Sequence, residues 1–190
     1  INVSAGGSSV KKGESLYDTA LTLQAMNADM IVVRHPHSGA PYFLARNLDA
    51  SVINAGDGAH AHPTQALLDL YTMKSHMGRI DGLKVAIVGD ILYSRVARSN
   101  LWGLTKMGAQ VVLCAPPTLI PSDFLNGYRS MEGHPFASVQ IETNVERALE
   151  GADVVMALRL QMERQQAGHL PTLREYSRMY GITPKRLELA

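Results

Sequence analysis

The 190-residue sequence has very little cysteine, few aromatic residues and almost no net charge. Its one cysteine excludes an intramolecular disulfide framework and fits a reducing, cytoplasmic compartment. Cys114 lies in the apolar run V-V-L-C-A, which predicts a buried and unreactive thiol. A net charge of +1 provides no global field for nucleic acid, and no apolar run approaches the length of a membrane span. We therefore expect neither nucleic acid nor a membrane among the partners.

Sequence motifs for nucleotides and metals are also missing. The turn after the apolar run that ends at Val88 reads G-D-I-L-Y-S-R rather than G-x-G-x-x-G, and no G-K-S/T is present. The pairs His35/His37 and His60/His62 match no structural zinc pattern in a chain with a single cysteine. We expect no metal and no cofactor.

Hydrophobic periodicity predicts strands that alternate with helices. This order is typical of an α/β fold with two lobes, each a parallel sheet flanked by helices. We expect one lobe in residues 1–75 and a second in 76–190, bridged by a helix over Pro63–Met77, with no final element after a helix that stops at Gly181. The other predicted segments are strands at Met30–Val33, Ser51–Asn54, Leu83–Val88, Gln110–Ala115, Ser138–Glu142 and Asp153–Leu158, and helices at Leu16–Met26, up to Met107, and at Val145–Leu149.

The segment N-A-G-D-G-A-H-A-H-P-T-Q-A-L-L-D-L, from Asn54 to Leu70, joins a strand to the bridging helix. Pro63 suits the first helical position, so that His62 and Gln65 lie at the positive end of the helix. Such a site favours an anion, and His62 is a candidate donor to a substrate oxygen. A histidine-rich surface turn is an alternative of nearly equal weight.

Polar residues follow several predicted strands, at the sheet edge where parallel folds bind ligands. Arginine side chains grip carboxylates and phosphates in bidentate fashion, so this pattern predicts a polyanionic ligand. The residues are Arg34, His62, Gln65, Arg95, Arg159 and Gln161, with Asp90 at the end of one strand. Upstream, S-S-V-K-K-G-E-S (Ser8–Ser15) fits either a mobile loop that brings lysine charge to a phosphate or an exposed basic turn.

The chain resembles the aspartate carbamoyltransferase family over essentially its whole length. The resemblance rests on five motifs in the order and spacing of that family: K-K-G-E-S-L-Y-D-T, V-V-R-H-P-H-S-G-A, N-A-G-D-G-A-H-A-H-P-T-Q-A-L-L-D-L-Y-T, V-G-D-I-L-Y-S-R-V-A-R-S-N and L-R-L-Q-M-E-R. It implies transfer of the carbamoyl group of carbamoyl phosphate to L-aspartate, a step of pyrimidine biosynthesis, without a cofactor.

The resemblance also implies roles for individual residues. Arg34, His62 and Gln65 would hold carbamoyl phosphate, with His62 polarising its carbonyl, and Arg95, Arg159 and Gln161 would bind aspartate. Ser8 and Lys12 would act in the site of a neighbouring subunit, Lys12 touching both substrates. A cytoplasmic homotrimer with shared active sites is implied, and a regulatory or dihydroorotase partner stays open.

Two alternatives accompany this interpretation. An ornithine carbamoyltransferase would bind a cationic side chain, which Arg95 and L-R-L-Q-M-E-R disfavour. The family motifs S-T-R-T and H-P-x-P are absent from the sequence, so we expect the middle of a transcarbamoylase whose isolated 190 residues are weakly active or inactive. In that case the chain would be an inert binding or assembly module of the same fold.

Overall fold

The computed structural model describes residues 13–126, 128, 131, 133–161 and 172–190. The chain divides into two compact units, with the boundary between Thr64 and Gln65. Among the helices in these ranges, none combines the length and hydrophobicity needed to cross a membrane.

Unit 1, the part up to Thr64, contains a two-stranded parallel sheet. Met30 pairs with Ser51 at one end of this sheet, and His35 pairs with Asp57 at the other after an irregularity beyond Val33. Its elements are helix α1 (Leu16–Ala25), strand β1 (Met30–His35), helix α2 (Ala40–Asn47) and strand β2 (Ser51–Asp57).

The predicted strands of unit 1 are confirmed, but both are longer than expected. The irregularity after Val33 lets β1 continue to His35, which pairs with Asp57. The prediction that Arg34 follows the strand is therefore wrong, because Arg34 lies inside β1 with an exposed side chain.

Unit 2, from Gln65 onwards, contains a four-stranded parallel sheet in the order β5-β4-β3-β6. Strand β3 pairs on both sides, and four of its five residues are buried. The elements, beginning with a helix that starts two residues before the boundary, are α3 (Pro63–Met77), β3 (Lys84–Val88), α4 (Arg95–Lys106), β4 (Gln110–Cys114), a short 3-10 helix (Pro117–Leu119), α5 (Ser122–Asn126), β5 (Gln140–Glu142), α6 (Val145–Leu149), β6 (Val154–Ala157), α7 (Leu173–Tyr180) and α8 (Pro184–Leu187).

Two glycines in unit 2 show how the sequence sets its turns. Helix α3 has the predicted bounds and is followed by Gly78 at φ +74°, a conformation that glycine tolerates best. Gly89 ends β3 at φ +132°, and a Cβ there would lie 2.8 Å from the carbonyl oxygen of Leu158. Only glycine lets β3 end against the segment that follows β6.

The end of the chain contains an element that the sequence analysis missed. Helix α8 begins after Thr183, whose side chain accepts the Arg186 N–H, with Pro184 at its first position. The sequence predicts no final element here, because a helix of four residues shows no helical periodicity. The cap and the proline were the available signals.

Candidate active site

A buried carboxylate organises the turn that precedes His62. Asp57, at the end of β2, is 1% exposed. Its oxygens accept hydrogen bonds from the N–H of Gly39 at 2.7 Å, from Asn54 Nδ2 at 2.9 Å and from the N–H of Ala61 at 3.2 Å. The backbone N–H of Asp57 also donates to the Ala61 carbonyl at 3.0 Å. The carboxylate thus ties the turn after β2 to the start of α2.

His60 adds a further contact to the same carboxylate. Its Nδ1 lies 3.0 Å from Asp57 Oδ2, and the histidine ring is largely exposed. Burial by itself raises the pKa of Asp57, but the hydrogen bonds from Asn54, Gly39 and His60 outweigh it and hold the pKa below its ordinary value. Asp57 is therefore an anion at neutral pH.

His62 lies directly before Pro63, the first residue of α3, as predicted. The Thr64 hydroxyl is 3.2 Å from His62 Nδ1. When this hydroxyl donates to Nδ1, the ring proton is on Nε2, and Nε2 is a hydrogen-bond donor. That tautomer is the one required for stabilising charge on a carbonyl oxygen.

In unit 2, the segment after β6 is tied to the end of β3. Asp90 is fully buried and accepts the Tyr93 N–H at 3.1 Å and the Gln161 N–H at 3.0 Å. Arg159 Nη2 donates to Gln161 Oε1 at 3.3 Å, so these two predicted ligand-binding side chains lie together. Arg159 and Gln161 come after β6, which pairs in parallel with β3, so both residues lie at the carboxyl edge of the sheet, as predicted.

Arg95 is the first residue of α4 and is 7% exposed. Ser94 precedes it, and its hydroxyl accepts the Ala97 N–H at 3.1 Å. The positive end of a helix dipole does not favour a cation, so the helix dipole does not account for an arginine at this position.

The sequence-predicted residues fall into three groups. Arg34 and His62 lie in unit 1, and Gln65, Arg95, Arg159 and Gln161 lie in unit 2. Ser8 and Lys12 lie outside the described residues. Within the described part of the chain, no three His, Cys, Asp or Glu side chains are grouped to hold a metal ion.

The polar residues that support the predicted ones are not evident from the sequence patterns above. Asp57 belongs to N-A-G-D-G, whose local pattern predicts only a glycine turn. Asp69 follows Gln65 by four residues on α3, a spacing at which helical glutamine and aspartate pair, and the two are 2.9 Å apart. That spacing was the available signal. No local pattern indicated Asn100, the second partner of Asp69.

Comparison with known proteins finds a match for both parts of the chain. Residues 1–75 match the carbamoyl-P binding domain of the aspartate/ornithine carbamoyltransferases, and residues 81–190 match their Asp/Orn binding domain. The chain belongs to the aspartate/ornithine carbamoyltransferase family. The two matched segments leave only residues 76–80 of the sequence outside a family match.

Relatives of this chain include two proteins called aspartate carbamoyltransferase catalytic subunit. The protein from Chloroflexus aggregans is 62% identical over 96% of the chain and 58% of its own length. The protein from a Roseiflexus species is 59% identical over 100% of the chain and 58% of its own length. The chain thus spans little more than half the length of these relatives.

Solved structures confirm the expected carbamoyltransferase-like α/β fold. Aspartate transcarbamoylase from Trypanosoma cruzi in complex with N-(phosphonacetyl)-L-aspartic acid matches 100% of this chain and 60% of its own, with a TM-score of 0.84 and 33% identity. The same enzyme in complex with carbamoyl phosphate and aspartate matches with a TM-score of 0.82 and 32% identity, over 100% of this chain and 61% of its own.

Proposed function

We propose that this chain supplies the catalytic core of an aspartate carbamoyltransferase. The observation that carries the proposal is the Arg159–Gln161 pair, on a segment that Asp90 ties to the end of β3. A guanidinium group attracts the carboxylates of aspartate and repels the cationic side chain of ornithine. The names of the 62% and 59% identical relatives support the same choice of substrate.

In the proposed reaction, the amino nitrogen of L-aspartate forms a bond to the carbamoyl carbon. The bond from that carbon to the phosphate oxygen breaks, and phosphate leaves with the electron pair and takes up the proton that the amine loses. Arg34, His62 and Gln65 hold carbamoyl phosphate, and Arg95, Arg159 and Gln161 hold aspartate. Rate acceleration comes from positioning two anions and from the His62 donor at the developing oxyanion.

The proposal includes an organisation beyond the single chain. Residues 1–75 form the carbamoyl-phosphate lobe and residues 76–190 the aspartate lobe. Ser8 and Lys12 complete the site of a neighbouring subunit in a cytoplasmic homotrimer, within pyrimidine biosynthesis. The family resemblance supports these points.

A coupled assay tests the proposal on the protein at its natural length and in its natural assembly. Phosphate release from carbamoyl phosphate is measured with L-aspartate, with L-ornithine and without acceptor. We expect turnover with aspartate alone. Ornithine-dependent turnover, or phosphate release that ignores the acceptor, contradicts the proposal.

A variant tests the role of Arg159 in the same assay. Arg159→Ala removes a charge-assisted contact, so we expect kcat/KM for aspartate to fall by about a hundredfold, with a smaller change in KM for carbamoyl phosphate. Arg79→Ala, the same change at an exposed arginine, is the matched control and should leave both constants unaltered.

A further inference from the structure

Asp69 stands between two amide side chains on neighbouring helices of unit 2. Its Oδ1 accepts from Gln65 Nε2 at 2.9 Å, one turn earlier on α3. Its Oδ2 accepts from Asn100 Nδ2 at 2.7 Å, on α4. The half-buried carboxylate therefore connects a predicted substrate-binding side chain to the interior of unit 2.

The chemistry of a carboxylate fixes which way the Gln65 amide faces. A carboxylate accepts hydrogen bonds and donates none, so the atom of Gln65 that faces Asp69 must be the amino nitrogen. The carbonyl oxygen Oε1 then faces away from Asp69, and no described residue donates a hydrogen bond to it. Gln65 is thus presented as an acceptor for an N–H donor.

The hydrogen bond from Asn100 fixes the orientation of the Asp69 carboxylate. Asn100 is 0% exposed, and its Nδ2 also donates to the Val96 carbonyl at 3.2 Å. Its own Oδ1 is buried and has no hydrogen-bond partner among the described residues. Turning the Asn100 amide over would break both donations and place Oδ1 against two acceptors, Asp69 Oδ2 and the Val96 carbonyl. A buried amide oxygen without a hydrogen-bond partner lowers the stability of the fold, so stability by itself does not explain this arrangement.

An apolar contact joins the same two helices. A Cβ added to Gly103 of α4 would lie 2.7 Å from Leu70 Cδ1, so the Leu70 side chain of α3 packs directly against α4 next to Asp69.

We propose that Asp69 is a positioning residue that, anchored by Asn100, orients Gln65 to select the amino group of the carbamoyl donor. This rests on the proposed function, in which Gln65 binds carbamoyl phosphate. The amino group is the only hydrogen-bond donor of a carbamoyl group. A methyl ketone of the same shape offers no such donor and leaves Gln65 Oε1 unpaired.

Calorimetric binding of two stable probes tests the proposal in the protein at its natural length. Phosphonoacetamide carries the amino group, and acetonylphosphonate has a methyl group in its place. We expect the unsubstituted protein to prefer phosphonoacetamide. Asp69→Leu frees the Gln65 amide to turn, so the ratio of the two affinities should fall by about tenfold.

Two further variants make the result specific. Asn100→Leu removes the anchor but leaves Asp69 in place, so the affinity ratio should fall by a smaller factor than in Asp69→Leu. This second variant keeps the proposal testable if Asp69→Leu does not fold. Thr72→Leu places the same new side chain on α3 at an exposed position and should leave the ratio unchanged.

The outcomes separate the two proposals. If the unsubstituted protein binds neither probe, the proposed function is wrong, and this inference falls with it. If it binds both, but with no preference or with a ratio that Asp69→Leu and Asn100→Leu leave intact, only the positioning role is overturned. A lower melting temperature with an unchanged ratio marks Asp69 as merely structural and likewise overturns it.

Discussion

Units 1 and 2 combine strands and helices in the same way but are held together differently. Unit 2 surrounds a central strand with a large apolar core, and β3 is buried almost throughout. Among the described residues of unit 1, the buried cluster consists of Ala20, Val33 and Leu44, with five partly buried neighbours. Several large apolar side chains of unit 1 are exposed instead: Met30, Val32, Tyr42 and Phe43.

The difference lies in what positions the candidate site. In unit 1, hydrogen bonds to Asp57 hold the turn before His62, close to a thin core. In unit 2, the carboxylate of Asp90 lies in a sheet that apolar packing already fixes. The geometry around His62 is therefore the more sensitive to the loss of a single polar group.

The largest expected effect concerns the core of unit 2. Cys114 is 0% exposed, and burial, with smaller contributions from Glu142 and Glu146, raises the pKa of its thiol to about 12. At pH 8 the thiolate fraction is then about a thousandfold below that of an ordinary cysteine. We expect alkylation by iodoacetamide to be suppressed at least that much until unit 2 unfolds. Rapid labelling of the native protein would show that its core opens as readily as unit 1.

The next largest effect is expected from removing the Asp57 carboxylate of unit 1. Asp57→Ala leaves the N–H groups of Gly39 and Ala61 without their acceptor, which should cost about 3 kcal/mol. Hydrogen exchange should rise in peptides spanning residues 51–62 and stay unchanged in β3 and β4. Asp29→Ala, an exposed aspartate in the same unit, is the control. Equal loss of protection in both units would contradict the comparison.

The pH dependence of unit 1 follows from the same residue. The pKa of Asp57 lies below its ordinary value of 3.8 in the folded protein, so the anion stabilises the fold above that value. This stabilisation is lost as the pH falls from 3.8 through the folded-state pKa. Its size is about 1.4 kcal/mol for each pH unit by which the folded-state pKa lies below 3.8. The stability gap between the unsubstituted protein and Asp57→Asn should close in this range. A gap that persists below it would assign the stabilisation to another group.

The smallest effect compares one helix cap in each unit. Ser94 caps α4 while buried, and Ser15 caps α1 while exposed. Water can replace the Ser15 hydroxyl, so Ser15→Ala should cost about 0.5–1 kcal/mol and Ser94→Ala about 2 kcal/mol. Urea unfolding, followed separately in the two units by hydrogen exchange, measures both. Equal costs would mean that the burial of the cap is unimportant.

Elements with strong local signals could be predicted from the sequence. Pro63 and Gly78 mark the bounds of α3, and the apolar runs of β3 and β4 are correct to within one residue. The continuation of β1 past Arg34 could not be predicted, because it depends on how His35 pairs with β2. Helix α8 carried a cap signal but no periodicity.

The candidate site was predictable only in part, for a related reason. Arg159 and Gln161 follow a strand and stand out by residue type. The hydrogen bond from the Gln161 N–H to Asp90 joins residues 71 positions apart, and the one from Asn100 to Asp69 joins residues 31 positions apart. Hydrogen bonds across such separations depend on the folded sheet, so no local pattern indicates them.

The core of unit 2 includes residues from both ends of that unit. Met73 on α3 and the stacked Tyr176 and Tyr180 on α7 belong to the same buried cluster. During synthesis this core can close only once Tyr180 has left the ribosome, roughly ten seconds after Thr64 at about 10 residues per second. Throughout that interval the nascent chain exposes apolar strands. Its yield in the cell should therefore depend on chaperones that bind unfinished polypeptides and on the pace of translation.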